Sequence, residues 1–374
     1  MKKVLFCANV YRHFTSFHIP YLKMLRENGY DVYLVANDDY KIHKKKLINE
    51  GFNCIDIPHS RKPFSFDNFL IFLKLRRLLK ENEYEIIHVH TPLVSFITRI
   101  ACFNIKPKKL IYTAHGFHFY RGAPKINWLV YYTLEKLASK FTDIIVTINS
   151  EDYENAKKFF GENSKIIEIK GVGVNIHTKK KSHKYLQNLK DSLNILEEDF
   201  VISYIAELND NKNQMFLLKN WYEIKNKIPN AKLLLIGEGK NKVKYIDYIQ
   251  ENNLKDINIL GYRSDVEDIL QISKVVTLLS LREGLPKSIM EAMSFGIPCV
   301  VSNTRGLRDL ILHNSNGYVV NLEDDNSLIN SFSELKSNDK LYYIFKTNTL
   351  ERIKNYSYEA VMQEYQKVYG LNKF

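Results

Sequence analysis

The chain has 374 residues, which is enough for two domains of ordinary size. Hydrophobic residues make up 45% of it, a share that excludes an intrinsically disordered protein. The net charge of +12 is uneven, because residues 1–170 carry 27 Lys and Arg against 17 Asp and Glu, whereas the remaining residues carry 27 against 25.

The first half of the chain alternates predicted strands with amphipathic helical segments. The strands are predicted at Lys3–Ala8, Asp31–Ala36, Ile86–His90, Lys109–Ala114 and Asp143–Ile148. The first strand follows a basic start, is too short to span a membrane and lacks a convincing signal-peptide cleavage site. Because no other segment reaches the length of a membrane-spanning helix, we expect a cytoplasmic protein.

The second half repeats the alternation. Its strands are predicted at Phe200–Ile205, Lys232–Ile236, Ile257–Leu260, Val275–Leu279 and Cys299–Ser302. Alternation of this kind is typical of parallel sheets with helices on both faces. The predicted fold class is therefore α/β, with two doubly wound Rossmann-like domains, residues 1–172 and 173–355, that face each other across a cleft.

The glycine pattern argues against a dinucleotide-binding domain. Such a domain carries G-x-G-x-x-G directly after its first strand. Here the first strand runs into the segment from Asn9 to Phe14, which contains no glycine, and the pair Gly171 and Gly173 lacks the third glycine. We therefore set aside a Rossmann dehydrogenase.

Two carboxylates eight residues apart, Glu283 and Glu291, mark the strongest candidate site. They lie in a predicted loop and helix between two buried strands, and open α/β sheets bind ligands at the carboxyl ends of strands. Backbone N–H groups at a helix start can hold a phosphate, and the carboxylates can accept hydrogen bonds from sugar hydroxyls beside it. We predict a sugar-nucleotide site that also includes Gly284, Leu285, Pro286 and Ser288.

This arrangement resembles the E-x7-E motif of the family-4 retaining glycosyltransferases. The resemblance rests on residues 283–286 (EGLP), 291–293 (EAM) and 295–298 (FGIP), and it covers nearly the whole chain. It implies the GT-B fold, with a first domain that binds the acceptor and a second that binds the nucleotide sugar. It also implies that a C-terminal helix, residues 356–374, packs back on the first domain. A solvated pair on an ordinary helix is the competing interpretation of the two carboxylates.

Further donor-binding candidates follow other strands of the second domain. Lys212 matches the lysine with which the family holds the donor diphosphate, but Glu207 stands where the family usually has an arginine. The resemblance implies that Glu283 holds donor-sugar hydroxyls and that Glu291 holds the ribose. Two more loops add the candidates Gly237, Gly239, Tyr262 and Arg263. Ordinary turns would explain the two glycines equally well.

In the first domain a His-Gly pair follows a predicted strand. The family has this histidine, here His115, beside the transferred sugar, so the predicted catalytic residues are His115, Lys212 and Glu283. The continuation through Pro124 resembles the branch that builds capsular and exopolysaccharide repeat units. The predicted acceptor-binding residues are Asn9, Thr15, His90, Gly116, His118, Tyr120 and Arg121. A metal site built from His88 and His90 is the alternative, but no carboxylate accompanies them at useful spacing, so we assign no metal ligands.

The resemblance implies a retaining glycosyltransferase. Its donor would be a nucleoside-diphosphate sugar, a UDP-hexose or UDP-N-acetylhexosamine, and its acceptor a polyprenyl-diphosphate-linked sugar. No Asp-x-Asp motif is present, so we expect activity without a metal ion or any other cofactor. Two alternatives stay open, namely a UDP-sugar epimerase on a similar fold and a glycosyltransferase with a soluble acceptor.

The basic first half predicts a peripheral membrane face at the inner side of the cell membrane. An anionic leaflet attracts Lys and Arg, and residues 120–136 add Trp128 and several tyrosines, which favour a bilayer interface. The apolar residues of this segment would fit a protein core equally well. Nucleic acid is not an expected partner, because none of the usual nucleic-acid-binding signatures is present.

Overall fold

The computed structural model describes residues 2–57, 66–105, 107–176 and 180–371, and in it the chain forms two compact units. Their boundaries lie between Val172 and Gly173 and between Ala360 and Val361. Unit 1 therefore combines the first part of the chain with its C-terminal end. Unit 2 contains the residues between them.

Unit 1 contains a seven-stranded sheet in which every described strand pair is parallel. The strands are β1 (Lys2–Val10), β2 (Tyr30–Asn37), β3 (Asn53–Asp56), β4 (Ile86–His90), β5 (Lys109–Ala114), β6 (Ile144–Thr147) and β7 (Lys165–Glu168). Their spatial order is β3-β2-β1-β4-β5-β6-β7, so the order reverses between β1 and β4. The helices are α1 (Tyr11–Phe17), α2 (Ile19–Glu27), α3 (Lys41–Asn49), α4 (Asp67–Glu81), α5 (Pro92–Ala101), α6 (Lys125–Asn127), α7 (Thr133–Ser139) and α8 (Ser150–Phe160), with a π-helical turn at Trp128–Tyr132.

Alternate residues of β1 show why this sheet is covered on both faces. Val4 and Phe6 belong to one buried cluster, whereas Leu5 and Cys7 belong to another. Successive side chains of a strand point to opposite faces of the sheet. A continuous apolar run therefore needs helices on both sides, which is the usual situation of an all-parallel sheet.

Unit 2 contains a six-stranded sheet whose described strand pairs are also parallel. The strands are β8 (Phe200–Ile205), β9 (Ala231–Ile236), β10 (Ile257–Gly261), β11 (Val275–Leu278), β12 (Cys299–Ser302) and β13 (Gly317–Val320). The order is β10-β9-β8-β11-β12-β13, with the reversal between β8 and β11. The helices are α9 (His183–Ser192), α10 (Gln214–Lys219), α11 (Trp221–Lys227), α12 (Lys242–Glu251), α13 (Val266–Ile272), α14 (Lys287–Ser294), α15 (Leu307–Leu310), α16 (Asp325–Ser337) and α17 (Asp339–Ile353).

The last helix, α18 (Tyr358–Tyr369), follows a 3-10 turn at Lys354–Tyr356. From Val361 onward it belongs to unit 1, where Tyr365 and Tyr369 lie in the same buried cluster as Phe6. Residues 372–374, which the sequence analysis included in this helix, lie outside the described residues.

The prediction of two doubly wound α/β domains is confirmed. Every predicted strand is present, with bounds that differ by at most two residues at either end. Three strands were missed, namely β3, β7 and β13, and each lies at an edge of its sheet. β3 and β7 are partly exposed, so their sequences lack the continuous apolar run that marks a central strand, whereas β13 is mostly buried but short.

The segment that was expected to face a membrane forms α6, the π-helical turn and α7. Its aromatic residues Trp128, Tyr131 and Tyr132 pack against a buried cluster of unit 1. The large hydrophobic side chains that residues 120–136 expose are instead aliphatic, with Ile126 60% and Leu129 68% accessible. Among the described residues, no helix combines the length and the apolar character needed to cross a membrane.

Candidate active site

The candidate donor site lies at the carboxyl ends of β8 and β11, where the strand order of unit 2 reverses. Loops on either side of such a reversal separate and leave a crevice, which is the usual ligand position in open α/β sheets. The loop after β8 contains Lys212, and the loop after β11 contains Glu283. These two loops carry two of the three predicted catalytic residues.

Lys212 and Glu283 form an ion pair, with 2.5 Å between Nζ and Oε1. Glu283 is buried and Lys212 is half-buried, so water screens the pair less than it would a pair on the surface. The backbone N–H of Lys212 donates to Oδ1 of Asn209 at 2.9 Å, which closes the turn that presents the lysine. The two predicted residues are therefore brought together by the fold.

Side-chain hydrogen bonds hold the two loops against each other. The side-chain Nδ2 of Asn211 donates to the backbone carbonyl of Arg282 at 3.0 Å. The backbone carbonyl of Asn211 accepts from the N–H of Leu281 at 2.8 Å. The buried hydroxyl of Tyr204 donates to the carbonyl of Lys212 and accepts from the N–H of Leu279. These bonds bridge both sides of the strand reversal, so the position of Lys212 relative to Glu283 is fixed by backbone as well as by charge.

A third loop, after β12, supports the backbone around Glu283. Arg305 is only 4% exposed, and its Nε donates to the carbonyl of Glu283 at 3.2 Å. A Cβ atom on Gly306, which has a φ of +74°, would lie 1.9 Å from the carbonyl oxygen of Gly284. The sequence analysis missed Arg305 and Gly306. Their position just beyond a predicted strand at the same edge of the sheet was the available signal.

Glu291 lies on α14, whose N-cap residue is Pro286. Its carboxylate pairs with Lys287 one turn earlier, with 3.1 Å between Nζ and Oε1. Burial lowers the pKa of Lys287, but the combined effects of Glu291, Tyr358 and Glu267 outweigh burial, so the net pKa is raised above its usual value. Ser288 occupies the first turn of the helix, half-buried. The first turn thus presents backbone N–H groups and a lysine, both of which attract anions.

The two predicted glycines after β9 pack against the loop after β8. A Cβ atom on Gly237 would lie 2.0 Å from the carbonyl oxygen of Ala206, and one on Gly239 would lie 2.2 Å from that of Leu208. This close backbone approach by itself requires glycine at both positions. Their direct contact with a donor stays a prediction.

The loop after β10 holds the last donor candidates. Tyr262 is 79% exposed. The guanidinium of Arg263 makes two hydrogen bonds to the carboxylate of Asp265, so it is already engaged in an ion pair. Glu207, which replaces the arginine usual in the family, is exposed, and its backbone carbonyl accepts from Nε2 of Gln214 at 3.0 Å.

In unit 1, His90 lies at the equivalent reversal of strand order, and His115 lies at the end of the next strand of the sheet. His90 is the last residue of β4, and His115 directly follows β5. Nδ1 of His90 lies 3.2 Å from Nε2 of His115. Two histidines that the sequence analysis missed, His13 on α1 and His18 at its end, complete a group of four imidazoles.

Burial keeps these imidazoles neutral. It lowers the pKa of His115 to about 4 and that of the neighbouring His88 to about 3. Burial, reinforced by the other histidines, also lowers the pKa values of His13, His18 and His90 well below 6.5. Near neutral pH the group therefore offers lone pairs and N–H groups rather than positive charge.

The other predicted acceptor residues lie around the same strand ends. The backbone N–H of Asn9 donates to Oγ1 of Thr91 at 3.2 Å. Thr91 directly follows His90 and has a φ of +62°. Thr15 hydrogen-bonds Nδ1 of His43 at 2.9 Å. The remaining four residues follow β5. Gly116 has a φ of +134°, and the ring of His118 stacks on that of Tyr131. Tyr120 is half-buried, whereas Arg121 is exposed and its backbone N–H donates to the carboxylate of Glu151.

Two family models match the chain, one in each unit. The model described as "Glycosyl transferase 4-like" matches residues 3–150, and the model described as "Glycosyl transferases group 1" matches residues 187–359. The second match includes Lys212, Glu283 and Glu291. The first includes the four histidines.

The chain is also similar to individual proteins over most of its length. It is 35% identical to a protein of Bacillus subtilis (strain 168) named putative glycosyltransferase EpsD, covering 89% of this chain and 87% of that one. It is 32% identical to the UDP-Gal:alpha-D-GlcNAc-diphosphoundecaprenol alpha-1,3-galactosyltransferase of Escherichia coli, covering 76% and 74%. Among solved structures, Anabaena Alr3699/HepE in complex with UDP and glucose superposes with a TM-score of 0.80 at 18% identity, covering 99% of this chain and 100% of that one, a likeness of fold.

Proposed function

This chain belongs to the family-4 glycosyltransferases of the GT-B fold, and we propose that it transfers a sugar from a UDP-sugar to a polyprenyl-diphosphate-linked sugar during surface-polysaccharide assembly. The donor sugar is a hexose or an N-acetylhexosamine. The reaction retains the configuration at the anomeric carbon. The name of the Escherichia coli relative supports the acceptor class, and the complex of the Anabaena structure supports UDP as the nucleotide.

The ion pair between Lys212 and Glu283 at the strand reversal of unit 2 carries this proposal. It sets a cation for a phosphate and an acceptor for sugar hydroxyls side by side, which is what a nucleotide sugar requires. In the donor complex, Lys212 turns its charge to the diphosphate and Glu283 accepts hydrogen bonds from the sugar. Glu291 accepts hydrogen bonds from the ribose. The N–H groups of Gly284 and Leu285 add donors to the departing diphosphate.

Catalysis in this site is chiefly electrostatic. As the bond between the anomeric carbon and the phosphate oxygen breaks, negative charge grows on the diphosphate, and fixed cations and N–H groups stabilise it. Lys212 supplies the cation that many other transferases obtain from a divalent ion. We therefore propose that transfer needs no Mg²⁺ or Mn²⁺, so adding either ion to the enzyme in metal-free buffer leaves the rate unchanged.

The acceptor attacks from the same face as the leaving diphosphate. The acceptor oxygen forms its bond to the anomeric carbon while the diphosphate departs, and an oxygen of that diphosphate takes the acceptor proton. The products are the lengthened acceptor and UDP. His115 lies beside the transferred sugar, and the other predicted residues at the strand ends of unit 1 hold the acceptor. Unit 1 is therefore the acceptor domain in this proposal, and unit 2 the donor domain.

A lipid-linked acceptor requires the enzyme to reach a membrane. Unit 1 carries most of the excess positive charge of the chain. The exposed Ile126 and Leu129 lie beside Lys125, which is also exposed. We propose that this aliphatic and basic strip rests on the anionic inner leaflet, with Trp128 packed beneath it. Apolar contact and attraction to anionic lipids together give reversible binding.

The test combines two acceptors with a panel of donors. The full chain is incubated with UDP-, GDP- and TDP-sugars and either a polyprenyl-diphosphate-linked sugar or a water-soluble oligosaccharide, and the product and its anomeric configuration are determined by NMR. Retention with a UDP-sugar and the lipid-linked acceptor supports the proposal. Product with the soluble acceptor alone would remove the lipid-linked acceptor. An epimerised donor without transfer would instead identify a UDP-sugar epimerase.

A further inference from the structure

One ring nitrogen from each of His13, His18, His90 and His115 lies within 4.8 Å of the other three. We call these four residues the histidine cluster. His90 and His115 end adjacent strands, β4 and β5, whereas His13 and His18 come from the chain that follows β1. Since β1 and β4 are neighbours at the strand reversal, the sheet itself gathers the four rings.

The spacing of the nitrogens fits a single small ion. Nε2 of His13 lies 3.0 Å from Nε2 of His18, and Nδ1 of His90 lies 3.2 Å from Nε2 of His115. In a tetrahedral zinc site with Zn–N bonds of about 2.0–2.1 Å, neighbouring nitrogens lie about 3.3 Å apart. The two short pairs already have nearly this spacing, and the widest separation, of up to 4.8 Å, has to close by about 1.5 Å to place four nitrogens around one ion. We propose that the histidine cluster binds one zinc ion.

The chemistry of the ligands selects the kind of metal. Imidazole nitrogens suit zinc, copper, nickel and iron, whereas magnesium and calcium prefer oxygen ligands. Among the described residues, the group holds four histidines and no carboxylate or thiol. The rings are neutral, so no proton has to leave an imidazolium before a metal binds.

Two neighbouring observations favour a ligand over a purely structural cluster. His88 lies next to His90, yet both of its nitrogens already have partners in the protein, Tyr369 at 2.8 Å and Thr113 at 2.7 Å. His90 in contrast is fully buried, and in the described structure its Nε2 has no hydrogen-bond partner. The fold thus satisfies both nitrogens of His88, whereas His90 has Nδ1 facing His115 and a second nitrogen, Nε2, that is left to coordinate an ion.

The cluster is held in place before any ion binds. The ring of Phe6 stacks on that of His90, with centroids 5.7 Å apart, and His18 is 1% exposed at the junction of α1 and α2. Side chains that packing already holds lose less conformational freedom when they bind a metal. The cluster lies in unit 1 and shares His90 and His115 with the proposed sugar-binding residues, so a bound zinc ion and the sugar substrates would compete for these two side chains. The proposal that transfer needs no Mg²⁺ or Mn²⁺ concerns Lys212 and Glu283 of unit 2.

The test measures metal binding rather than sugar transfer. Metal-free full-length protein is titrated with Co²⁺, a spectroscopic substitute for zinc, and then with Zn²⁺. We expect the protein to bind one Co²⁺ per chain and to show the intense visible absorption of a four-coordinate ion. One equivalent of Zn²⁺ should displace the Co²⁺ and abolish this absorption. The variants His13→Gln and His18→Gln should bind at least about tenfold more weakly, since even outer-shell changes cost that much. His183→Ala, an exposed histidine of unit 2, is the matched control and should bind as the parent does.

Other results would overturn the proposal. These are a weak absorption typical of six-coordinate Co²⁺ in the parent protein, or binding that His13→Gln leaves unchanged. Equal loss in His183→Ala would place the metal elsewhere. Circular dichroism identifies a variant that fails to fold, and the spectrum and stoichiometry of the parent protein then decide the matter on their own.

Discussion

Nζ of Lys212 lies 2.5 Å from Oε1 of Glu283, although 71 positions separate the two residues in the sequence. Each stands in a loop at the end of a strand, and the two strands, β8 and β11, are neighbours in the sheet. Tyr204 and Asn211 tie the loops together. A donor that binds here has to exchange this ion pair for contacts of its own, so each partner can be tested separately.

Replacing either carboxylate of the motif should reduce transfer without unfolding the chain. Glu283→Gln and Glu291→Gln each remove a charged acceptor of sugar hydroxyl bonds, worth about 1.5–3 kcal/mol. The expected loss in kcat/KM is therefore about 10- to 150-fold. Steady-state kinetics measures it, with Glu251→Gln, an exposed position on α12, as the control. Turnover near that of the parent enzyme in one variant would remove that carboxylate from the site.

Lys212→Ala should weaken donor binding. The variant loses the cation that faces the diphosphate, and it leaves Glu283 buried without its partner. Because Glu207 stands where the family usually has an arginine, no second cation is expected at that position. We expect the dissociation constant of UDP, measured by calorimetry, to rise about 10- to 150-fold, the value of a hydrogen bond to a charged group. Lys219→Ala, exposed at the end of α10, is the control, and equal affinities in the two variants would contradict the assignment.

Gly306→Ala should disturb the loop that holds Glu283. Its φ of +74° is unfavourable for alanine, and the added Cβ would lie 1.9 Å from the carbonyl oxygen of Gly284. Gly29 also has a positive φ, of +82°, but no atom within 4 Å of its Cβ position, so Gly29→Ala isolates the conformational cost of about 1–2 kcal/mol. We expect Gly306→Ala to lower the free energy of unfolding by more than Gly29→Ala, and to lower activity as well. Equal losses in urea denaturation would show that the loop adapts.

Metal-free protein should lose stability as the pH falls from about 6.5 towards 4. Burial holds the pKa of His115 near 4 and that of His88 near 3, below the usual value of 6.5. Between these values the unfolded chain binds protons that the folded chain does not, so the free energy of unfolding decreases with falling pH. Each such histidine contributes up to about 1.4 kcal/mol per pH unit.

Urea denaturation at pH 7 and pH 5 measures this slope. His88→Gln should make it shallower, because the variant removes one of the groups that protonates only on unfolding. Replacement of the exposed His183 by alanine should leave the slope unchanged. A His88→Gln protein with the same slope as the parent would show that carboxylates alone govern the acid response.

Leu129→Glu should weaken attachment to anionic vesicles. Leu129 is 68% exposed, so the change costs the fold little while placing a negative charge on the proposed membrane strip. Electrostatic attraction is worth about 1 kcal/mol for each basic residue near the leaflet, or about fivefold in binding. Co-sedimentation with vesicles at low and high salt compares Leu129→Glu with the control Leu196→Glu. Leu196 lies on unit 2 and is 60% exposed. Equal, negligible binding of the parent protein to anionic and neutral vesicles at low salt would remove the membrane proposal.

The sequence by itself determined the central strands and the motif loops. Strands such as β1 and β11 are short apolar runs next to turn residues, and such patterns depend only on neighbours along the chain. The loop after β11 and the start of α14 could also be recognised, because two carboxylates, a glycine and a proline lie between residues 283 and 291. The edge strands β3 and β7 were missed, since their partial exposure removes the apolar run on which the prediction depends.

Only the tertiary structure decided which distant residues meet. Which strands become neighbours is a property of the whole sheet. The resulting strand order brings Lys212 into contact with the carboxylate of Glu283, and Arg305 into contact with the backbone carbonyl of Glu283. The strand order of unit 1 likewise brings His13 and His18 next to His90 and His115, which the sequence analysis had already identified. The local sequence pattern indicates which residues are buried and where the backbone turns. A site, in contrast, combines residues at the ends of strands that are far apart in the chain, and only the packing of the sheet determines which of these ends meet.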